Sequence, residues 1–265
     1  VSSAGDINGD GYDDLIIGAI YADPNGTSSG SSYVVFGTAS AFASTVNLSD
    51  LNGTTGFRLD GEAANDQSGY SVSSAGDVNG DGYDDLIIGA NGADINGGSS
   101  GSSYVVFGSG NAFAATVNLS TLDGTNGFRL DGEAASNYSG WSVSSAGDIN
   151  GDGYDDLIIG AYSADPNGST SGSSYVVFGT GSAFAATVNL STLNGTNGFR
   201  LDGEAAGDLS GYSVSSAGDI NGDGYDDLII GAYFADINGS SSGSSYVVFG
   251  KASAFAATVN LSTLD

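Results

Sequence analysis

The chain has 265 residues and a formal net charge of −27, because 31 Asp and Glu residues outnumber four Lys and Arg. It contains no Cys, His or Met, so metal sites built from sulfur or imidazole ligands are excluded. Nucleic-acid binding needs a basic surface that this composition does not offer, and an anionic membrane surface would repel the chain. No apolar run approaches the ~20 residues of a spanning helix, so we expect no membrane insertion.

A single unit recurs every 71 residues, as the positions of Asp6, Asp77, Asp148 and Asp219 show. The units run over approximately residues 1–68, 69–139, 140–210 and 211–265, without a linker or a second domain. A fixed period of this kind indicates a repeat architecture, so we predict one tandem array.

Within the second unit the pattern predicts four strands, at 70–76, 85–90, 103–107 and 128–132, with a helical turn near "LSTL". Each strand is short, rich in β-branched or aromatic residues and bounded by glycine or serine. Four short antiparallel strands per repeat are typical of a β-propeller blade. A β-solenoid normally has a shorter period, and helical repeats do not fit the strand-forming composition. The predicted fold is therefore all-β, a propeller of four-stranded antiparallel blades.

The chain enters at Val1 inside a first strand, and the fourth strand of the last blade would follow Asp265. The last blade is therefore expected to be incomplete. An unpaired strand edge attracts another strand. Two explanations stay open, a segment of a longer array or a blade filled by a neighbouring chain.

The loop "DINGDGYDD" places side-chain oxygens at alternate positions before the second strand of each unit. Oxygen ligands at positions 1, 3 and 5, glycine at position 6 and a carbonyl at position 7 suit Ca²⁺. An Asp at position 9 replaces the Glu that an EF-hand carries at position 12, so this loop joins two strands. The predicted ligands are Asp6, Asn8, Asp10, Tyr12 and Asp14; Asp77, Asn79, Asp81, Tyr83 and Asp85; Asp148, Asn150, Asp152, Tyr154 and Asp156; and Asp219, Asn221, Asp223, Tyr225 and Asp227.

An alternative is that Asp-Gly and Asn-Gly simply make good hairpin turns. Because all four copies keep the same oxygen-bearing residues in register, the sequence favours metal binding. We expect one Ca²⁺ per repeat and four in total.

Two other polar patterns have simpler explanations. Arg58 and Asp60 in "FRLDGE" share one face of a strand, which predicts a structural ion pair in preference to a ligand-binding arginine. The "ADPNG" loop, with Asp23 and Asn25, is typical of a turn, and a weaker cation site is the alternative.

Tyr70, Trp141 and Tyr212 occupy equivalent positions at the start of three first strands. Packing between blades is the favoured interpretation, and a platform for stacking sugars is the alternative.

Catalysis is not expected, because the chain lacks His, Cys and a recognisable nucleophile motif. Its three glutamates, Glu62, Glu133 and Glu204, are repeat equivalents. A glycosidase needs two carboxylates converging on one bond, and no pair breaks the repeat symmetry.

The stretch "GYSVSSAGDVNGDGYDDLIIGA" at 69–90 resembles the FG-GAP repeat of integrin α-chain β-propellers and of bacterial integrin-like surface proteins. The resemblance covers all four units and is strongest over the loop. It implies a calcium-binding propeller in which this loop joins the first two strands of a blade. "SG" at Ser68-Gly69 replaces the family's "FG", and the "GAP" proline is also replaced, as in Gly89-Ala90-Asn91. The family usually has seven blades, whereas this chain encodes four.

These features together predict an extracellular, calcium-stabilised structural or adhesive module, secreted or at the cell surface. Expected partners are other copies of the chain or adjacent repeats, joined in a filament or larger ring, and a cell-surface glycan or protein. A lectin-like or protein-binding propeller and a designed repeat protein are the alternatives.

Overall fold

Strands form where β-branched and aromatic residues are bounded by glycine and serine, as expected from their fit to a pleated surface. The computed structural model describes residues 1–264. The strands are β1 Ser2–Gly5, β2 Asp14–Ala19, β3 Ser31–Val35, β4 Gly56–Asp60, β5 Ser71–Gly76, β6 Asp85–Ala90, β7 Ser102–Val106, β8 Thr116–Asn118, β9 Gly127–Asp131, β10 Ser142–Gly147, β11 Asp156–Ala161, β12 Ser173–Val177, β13 Thr187–Asn189, β14 Gly198–Asp202, β15 Ser210–Gly218, β16 Asp227–Ala232, β17 Ser244–Val248 and β18 Thr258–Asn260. Short 3-10 helices span Leu48–Asp50, Leu119–Thr121, Leu190–Thr192 and Leu261–Thr263.

The strands form four separate sheets, one per repeat, and each sheet is one blade. In the first blade β1, β2, β3 and β4 are adjacent and antiparallel. The next two blades repeat this order, so the predicted β-propeller fold is confirmed. In the second unit the strand bounds agree with the predicted ones to within one residue.

A fifth strand, which the sequence pattern did not predict, extends each of the first three sheets. β8 lies between β7 and β9 along the chain, yet it pairs in parallel with β4 of the preceding blade. β13 and β18 make the same pairing with β9 and β14. Each blade is therefore joined to the next by backbone hydrogen bonds as well as by side chains.

Among the described residues, the fourth sheet contains only β15, β16 and β17. It lacks the outer strand that closes the other blades, as predicted. The edge of β17 is consequently free of a fourth strand within residues 1–264.

Neighbouring blades bury their apolar faces against each other. Ile16 and Phe57 of the first blade belong to the same buried cluster as Leu86 and Ile88 of the second. Two equivalent clusters lie between the second and third blades and between the third and fourth. Alternation along a strand sends successive side chains to opposite faces, so each interior blade contributes to two clusters.

The four blades form an arc, in which β1 packs on β5, β5 on β10 and β10 on β15. No comparable contact joins β1 to β15 among the described residues. Leu15, on the outer face of the first blade, is 53% exposed, whereas its equivalent Leu86 is fully buried. Ile229, on the outer face of the fourth blade, is 39% exposed. Within residues 1–264, one apolar face is thus exposed at each end of the arc.

Over residues 1–264, no helix has the length and apolar character needed to cross a membrane.

Candidate metal-binding loops and the contacts between them

The four predicted metal loops connect the first and second strands of their blades, and all lie at the same end of the blades. In the second blade, β5 ends at Gly76 and β6 begins at Asp85, so the loop forms a strand-to-strand hairpin. The structure thus gathers each set of five predicted ligands into one loop, as the sequence order requires.

Backbone N–H groups fix the side-chain oxygens of the second loop. Asp77 accepts hydrogen bonds from the N–H groups of Asp81 and Gly82, at 3.0 and 2.9 Å. Asn79 Oδ1 accepts from Asp81 N at 2.8 Å, and Asp81 Oδ1 accepts from Tyr83 N at 3.1 Å. Gly82 has a φ of +89°, which a side chain would strain. These bonds hold the oxygens in a fixed order around the turn.

The ninth residue of each loop is a fully buried aspartate; the four are Asp14, Asp85, Asp156 and Asp227. Asp85 Oδ1 accepts from Gly108 N at 2.8 Å, and Oδ2 accepts from Val78 N at 3.0 Å. Burial raises the pKa of Asp85 to about 8, and the charges of Asp81 and Asp77 add to the rise. Burial makes the charged form of this carboxyl unfavourable in free energy. The group therefore either takes up a proton or is accompanied by a cation.

The pKa of Asp156 is likewise raised to about 8, chiefly by burial. Burial also raises the pKa of Asp14 to about 6. The buried Oδ2 of Asp14 has no hydrogen-bond partner.

The residues of the loops fit a calcium ion, because every potential donor is a hard oxygen and an unpartnered buried oxygen is present. No three Asp or Glu side chains within residues 1–264 converge into a metal centre by themselves. Two of the five predicted donors are an Asn amide and a Tyr carbonyl, so the loop was not expected to depend on carboxylates alone. The ligand assignment remains a prediction.

Each of the first three loops is also contacted by the next blade, a feature that the sequence analysis missed. Asp84 Oδ2 accepts a hydrogen bond from Asp6 N at 2.7 Å, across 78 residues of chain. Asp155 and Asp226 accept from Asp77 N and Asp148 N in the same way. An Asp recurs at this eighth loop position in every unit, and that recurrence was the sequence signal that could have indicated the contact.

The predicted ion pair within "FRLDGE" is confirmed, and it belongs to a larger network. Arg129 Nε lies 2.7 Å from Asp131 Oδ1 on the same strand. Arg129 Nη1 also reaches Glu62 Oε2 of the preceding blade, at 2.9 Å. Tyr104 donates its hydroxyl to the same Glu62 oxygen at 3.0 Å. Burial, followed by the nearby Glu62 charge, raises the pKa of Tyr104, so it stays a donor.

The second acidic loop is a hydrogen-bonded turn. Asp23 Oδ1 accepts from Ser28 N at 2.7 Å, and Asn25 Nδ2 donates to Gly61 O at 2.7 Å. These contacts agree with the favoured structural interpretation.

The aromatic residues that begin the first strands lie at the blade end opposite the metal loops. Trp141 contacts Tyr70 and Tyr212, with ring centroids 4.5 and 5.3 Å apart. Tyr162 and Tyr233 extend the cluster at 4.5 Å from Trp141 and 4.4 Å from Tyr212, respectively. The predicted packing between blades is confirmed, although Tyr212 is 36% exposed and Tyr233 is 46% exposed.

Comparison with known proteins yields one family. The family model described as "FG-GAP repeat" matches residues 1–35, 68–106, 139–177 and 210–248. These segments contain the first three strands of each unit and the loop between the first two.

The similar curated proteins are integrin α-chains. Integrin alpha-IIb of Mus musculus is 32% identical over 184 residues, which is 67% of this chain and 16% of the relative. Integrin alpha-V of Gallus gallus is 28% identical over 241 residues, 88% of this chain and 20% of the relative. Integrin alpha-PS2 of Drosophila melanogaster is 31% identical over 161 residues, 60% of this chain and 11% of the relative. The chain thus spans about a fifth or less of the length of these relatives.

Proposed function

The chain belongs to the FG-GAP repeat family, and on that premise we propose that it is an extracellular adhesive or structural module stabilised by calcium. The four units act as one array, secreted or displayed at the cell surface. Its similarity to integrin α-chains supports a role in adhesion.

The observation that carries the calcium assignment is the buried aspartate at the end of each loop. Asp85 is fully buried, and this burial, followed by the charges of Asp81 and Asp77 in the same loop, raises its pKa. A bound Ca²⁺ would neutralise this concentration of charge and hold the hairpin, which glycine otherwise leaves flexible. The first, third, fifth, seventh and ninth loop residues would hold it, one ion per loop.

Binding, and not catalysis, is the activity that this arrangement supports. The three glutamates are equivalent by repeat, and Glu62 and Glu133 are engaged by the arginine of the next blade. The module would act by binding partners: other copies of itself or adjacent repeats, or a glycan or protein at a cell surface.

Calcium titration calorimetry combined with an adhesion assay tests the proposal. We expect four Ca²⁺ per chain, and calcium-dependent attachment of cells or beads to a surface coated with the protein. If the titration shows no calcium binding, the assignment of the loops is overturned. If attachment is equal with and without chelator, the link between calcium and adhesion is overturned.

A second candidate function is glycan binding at the aromatic cluster. Tyr212 and Tyr233 are exposed next to Trp141, and aromatic faces stack on sugar rings. Glycan-array binding that Trp141→Ala abolishes would support it. Phe42→Ala is the matched control, since Phe42 is a 53% exposed aromatic outside this cluster and outside the predicted metal loops.

A further inference from the structure

The predicted calcium loops of the second and third blades are joined by direct hydrogen bonds. Asp155 is the eighth residue of the third loop and precedes the predicted ligand Asp156. Its carboxylate accepts a hydrogen bond from Asp77 N at 2.8 Å, and its own N–H donates to Asp77 O at 3.2 Å. Asp77 is the first predicted ligand of the second loop. Both backbone groups of that ligand are therefore bonded to the following loop.

A glycine makes room for the Asp155 carboxylate. Gly76 precedes Asp77 and has a φ of +70°, and a Cβ built on it would collide with the Asp155 carboxylate. The same combination of glycine and carboxylate occurs as Gly5 with Asp84 and as Gly147 with Asp226. The contact thus depends on a backbone conformation that favours glycine, and it recurs from blade to blade.

A second connection joins the ninth residues of the same two loops. Val78 N donates to Asp85 Oδ2 at 3.0 Å, and Val78 O accepts from Thr180 N at 2.9 Å. Gly179, the residue before Thr180, donates its N–H to Asp156 Oδ1 at 2.9 Å. Hydrogen bonds therefore lead from the buried aspartate of the second loop, through two short backbone segments, to the buried aspartate of the third.

The second connection also recurs between the third and fourth blades. Ile149 N donates to Asp156 Oδ2 at 3.1 Å, and Ile149 O accepts from Lys251 N at 2.9 Å. Gly250 N donates to Asp227 Oδ1 at 2.9 Å. Both connections are therefore properties of the junction between two consecutive blades.

We propose that the calcium sites of consecutive blades are positively coupled, and that Asp155 is the positioning residue between the second and third sites. The inference rests on the calcium sites proposed above. An ion in the third loop would be held by Tyr154 O and Asp156, the residues on either side of Asp155. With its neighbours fixed, Asp155 stays in place to accept the Asp77 N–H. The second loop then loses less conformational entropy when it binds its own ion.

Charge alone predicts a coupling of the opposite sign. An ion bound at a neighbouring loop repels a second cation, so loss of that ion should tighten the site that remains. The hydrogen-bonded connections predict that loss of the ion weakens the remaining site, because its loop must then be ordered without a fixed neighbour. We expect a weakening of about fivefold, at the lower end of typical couplings between sites, and the effect is reciprocal.

Two glycine amides allow the second and third sites to be measured separately. Gly82 N donates to Asp77 Oδ2 at 2.9 Å, and Gly153 N donates to Asp148 Oδ2 at 2.8 Å. In the ¹⁵N-glycine-labelled chain, each amide resonance should therefore follow calcium binding at its own loop. For the wild type, both titration curves should be steeper than that of a single independent site.

Asp77→Ala tests the coupling, because it removes a ligand of the second site but keeps the backbone N–H that Asp155 accepts. The calcium affinity reported by Gly153 should fall about fivefold. Asp6→Ala is the matched control, since it removes the equivalent ligand from the first loop, which the second blade separates from the third loop. It should change the affinity at Gly153 by less than about twofold.

Two substitutions of Asp155 separate its position from its charge. Asp155→Ala removes the acceptor and should weaken calcium binding at Gly82 about fivefold, and more than at Gly153 in its own loop. Asp155→Asn removes the charge but keeps an oxygen that can accept the Asp77 N–H, so most of the affinity at Gly82 should remain. Equal losses in the two variants, or a larger loss at Gly153 than at Gly82, would overturn the positioning role.

The remaining outcomes distinguish the coupling from the calcium assignment. Unchanged or tighter binding at Gly153 in Asp77→Ala would overturn the coupling and leave the calcium assignment intact. If Asp77→Ala does not fold, the wild type decides, because single-site curves at both Gly82 and Gly153 would overturn the coupling. A wild type that binds no calcium would overturn both the coupling and the proposed function.

Discussion

Arg129 of the second blade forms an ion pair with Glu62 of the first, with Nη1 and Oε2 2.9 Å apart. The two side chains are 21% and 29% exposed, so water only partly screens the pair. Arg200 and Glu133 repeat the contact between the second and third blades at 3.0 Å. The outer parts of neighbouring blades are therefore held by charge, while their centres are held by apolar packing.

Glu62→Gln should lower the free energy of unfolding by about 1–2 kcal/mol, since a charge-assisted hydrogen bond is lost at a half-buried site. Glu204→Gln is the matched control: Glu204 accepts from Tyr246 at 2.8 Å, and the described part of the fourth blade has no arginine opposite it. Chemical denaturation should show a smaller loss for this control. Equal losses would contradict a role for the arginine.

Chelation should lower the melting temperature. A single site held at a hundredfold excess of Ca²⁺ over its Kd stabilises the folded state by ~2.7 kcal/mol. For a chain of this size that corresponds to roughly 5–10 °C, and more if several sites are filled. Circular-dichroism melts in calcium and in EDTA measure the difference; identical melts would exclude stabilisation by metal.

Asp77→Ala should reduce the calcium stoichiometry from four to three. Its carboxylate organises the loop by accepting from the N–H groups of Gly80, Asp81 and Gly82. Asp94→Ala is the control, because Asp94 also caps a turn through the Ser99 N–H but lies in the second acidic loop. A stoichiometry that falls in Asp94→Ala would instead identify the second acidic loop as a metal site.

Asp66→Asn should stabilise the chain at neutral pH. Burial, followed by the charges of Glu62 and Asp94, raises the pKa of Asp66 to about 6. A carboxyl whose pKa is raised on folding contributes stability below about pH 4, and that contribution is lost as the pH rises through about 6. The variant should therefore gain up to about 2 kcal/mol at pH 7 and little at pH 4.

The second unit provides the converse variant, since Asn137 stands where the first unit has Asp66. Asn137→Asp should lose stability at pH 7 and recover it on acidification. Urea denaturation of both variants at pH 4 and pH 7 checks the sign. If neither variant changes the pH dependence of unfolding, then folding does not change the pKa of the carboxyl at this site.

The sequence was sufficient for the repeat, the strands and the loops, because each depends on residues close together in the chain. The run from Asp85 to Ala90 is a strand by its β-branched content, and the loop before it is ordered by its own backbone hydrogen bonds. The same local rules predicted the Arg58 and Asp60 pair, whose members are two residues apart.

Only the tertiary structure determined which neighbouring blade each polar side chain contacts. Glu62 meets Arg129 across 67 residues, and Asp84 meets Asp6 across 78. Neither pairing follows from alternation or turn chemistry, since it depends on how one blade packs on the next. For the same reason β8 was not predicted: three residues gain strand geometry only because the edge of β4 is available to pair with them. Local hydrogen bonding and side-chain alternation determine the strands and loops within a blade. The packing of one blade on the next determines the contacts between blades.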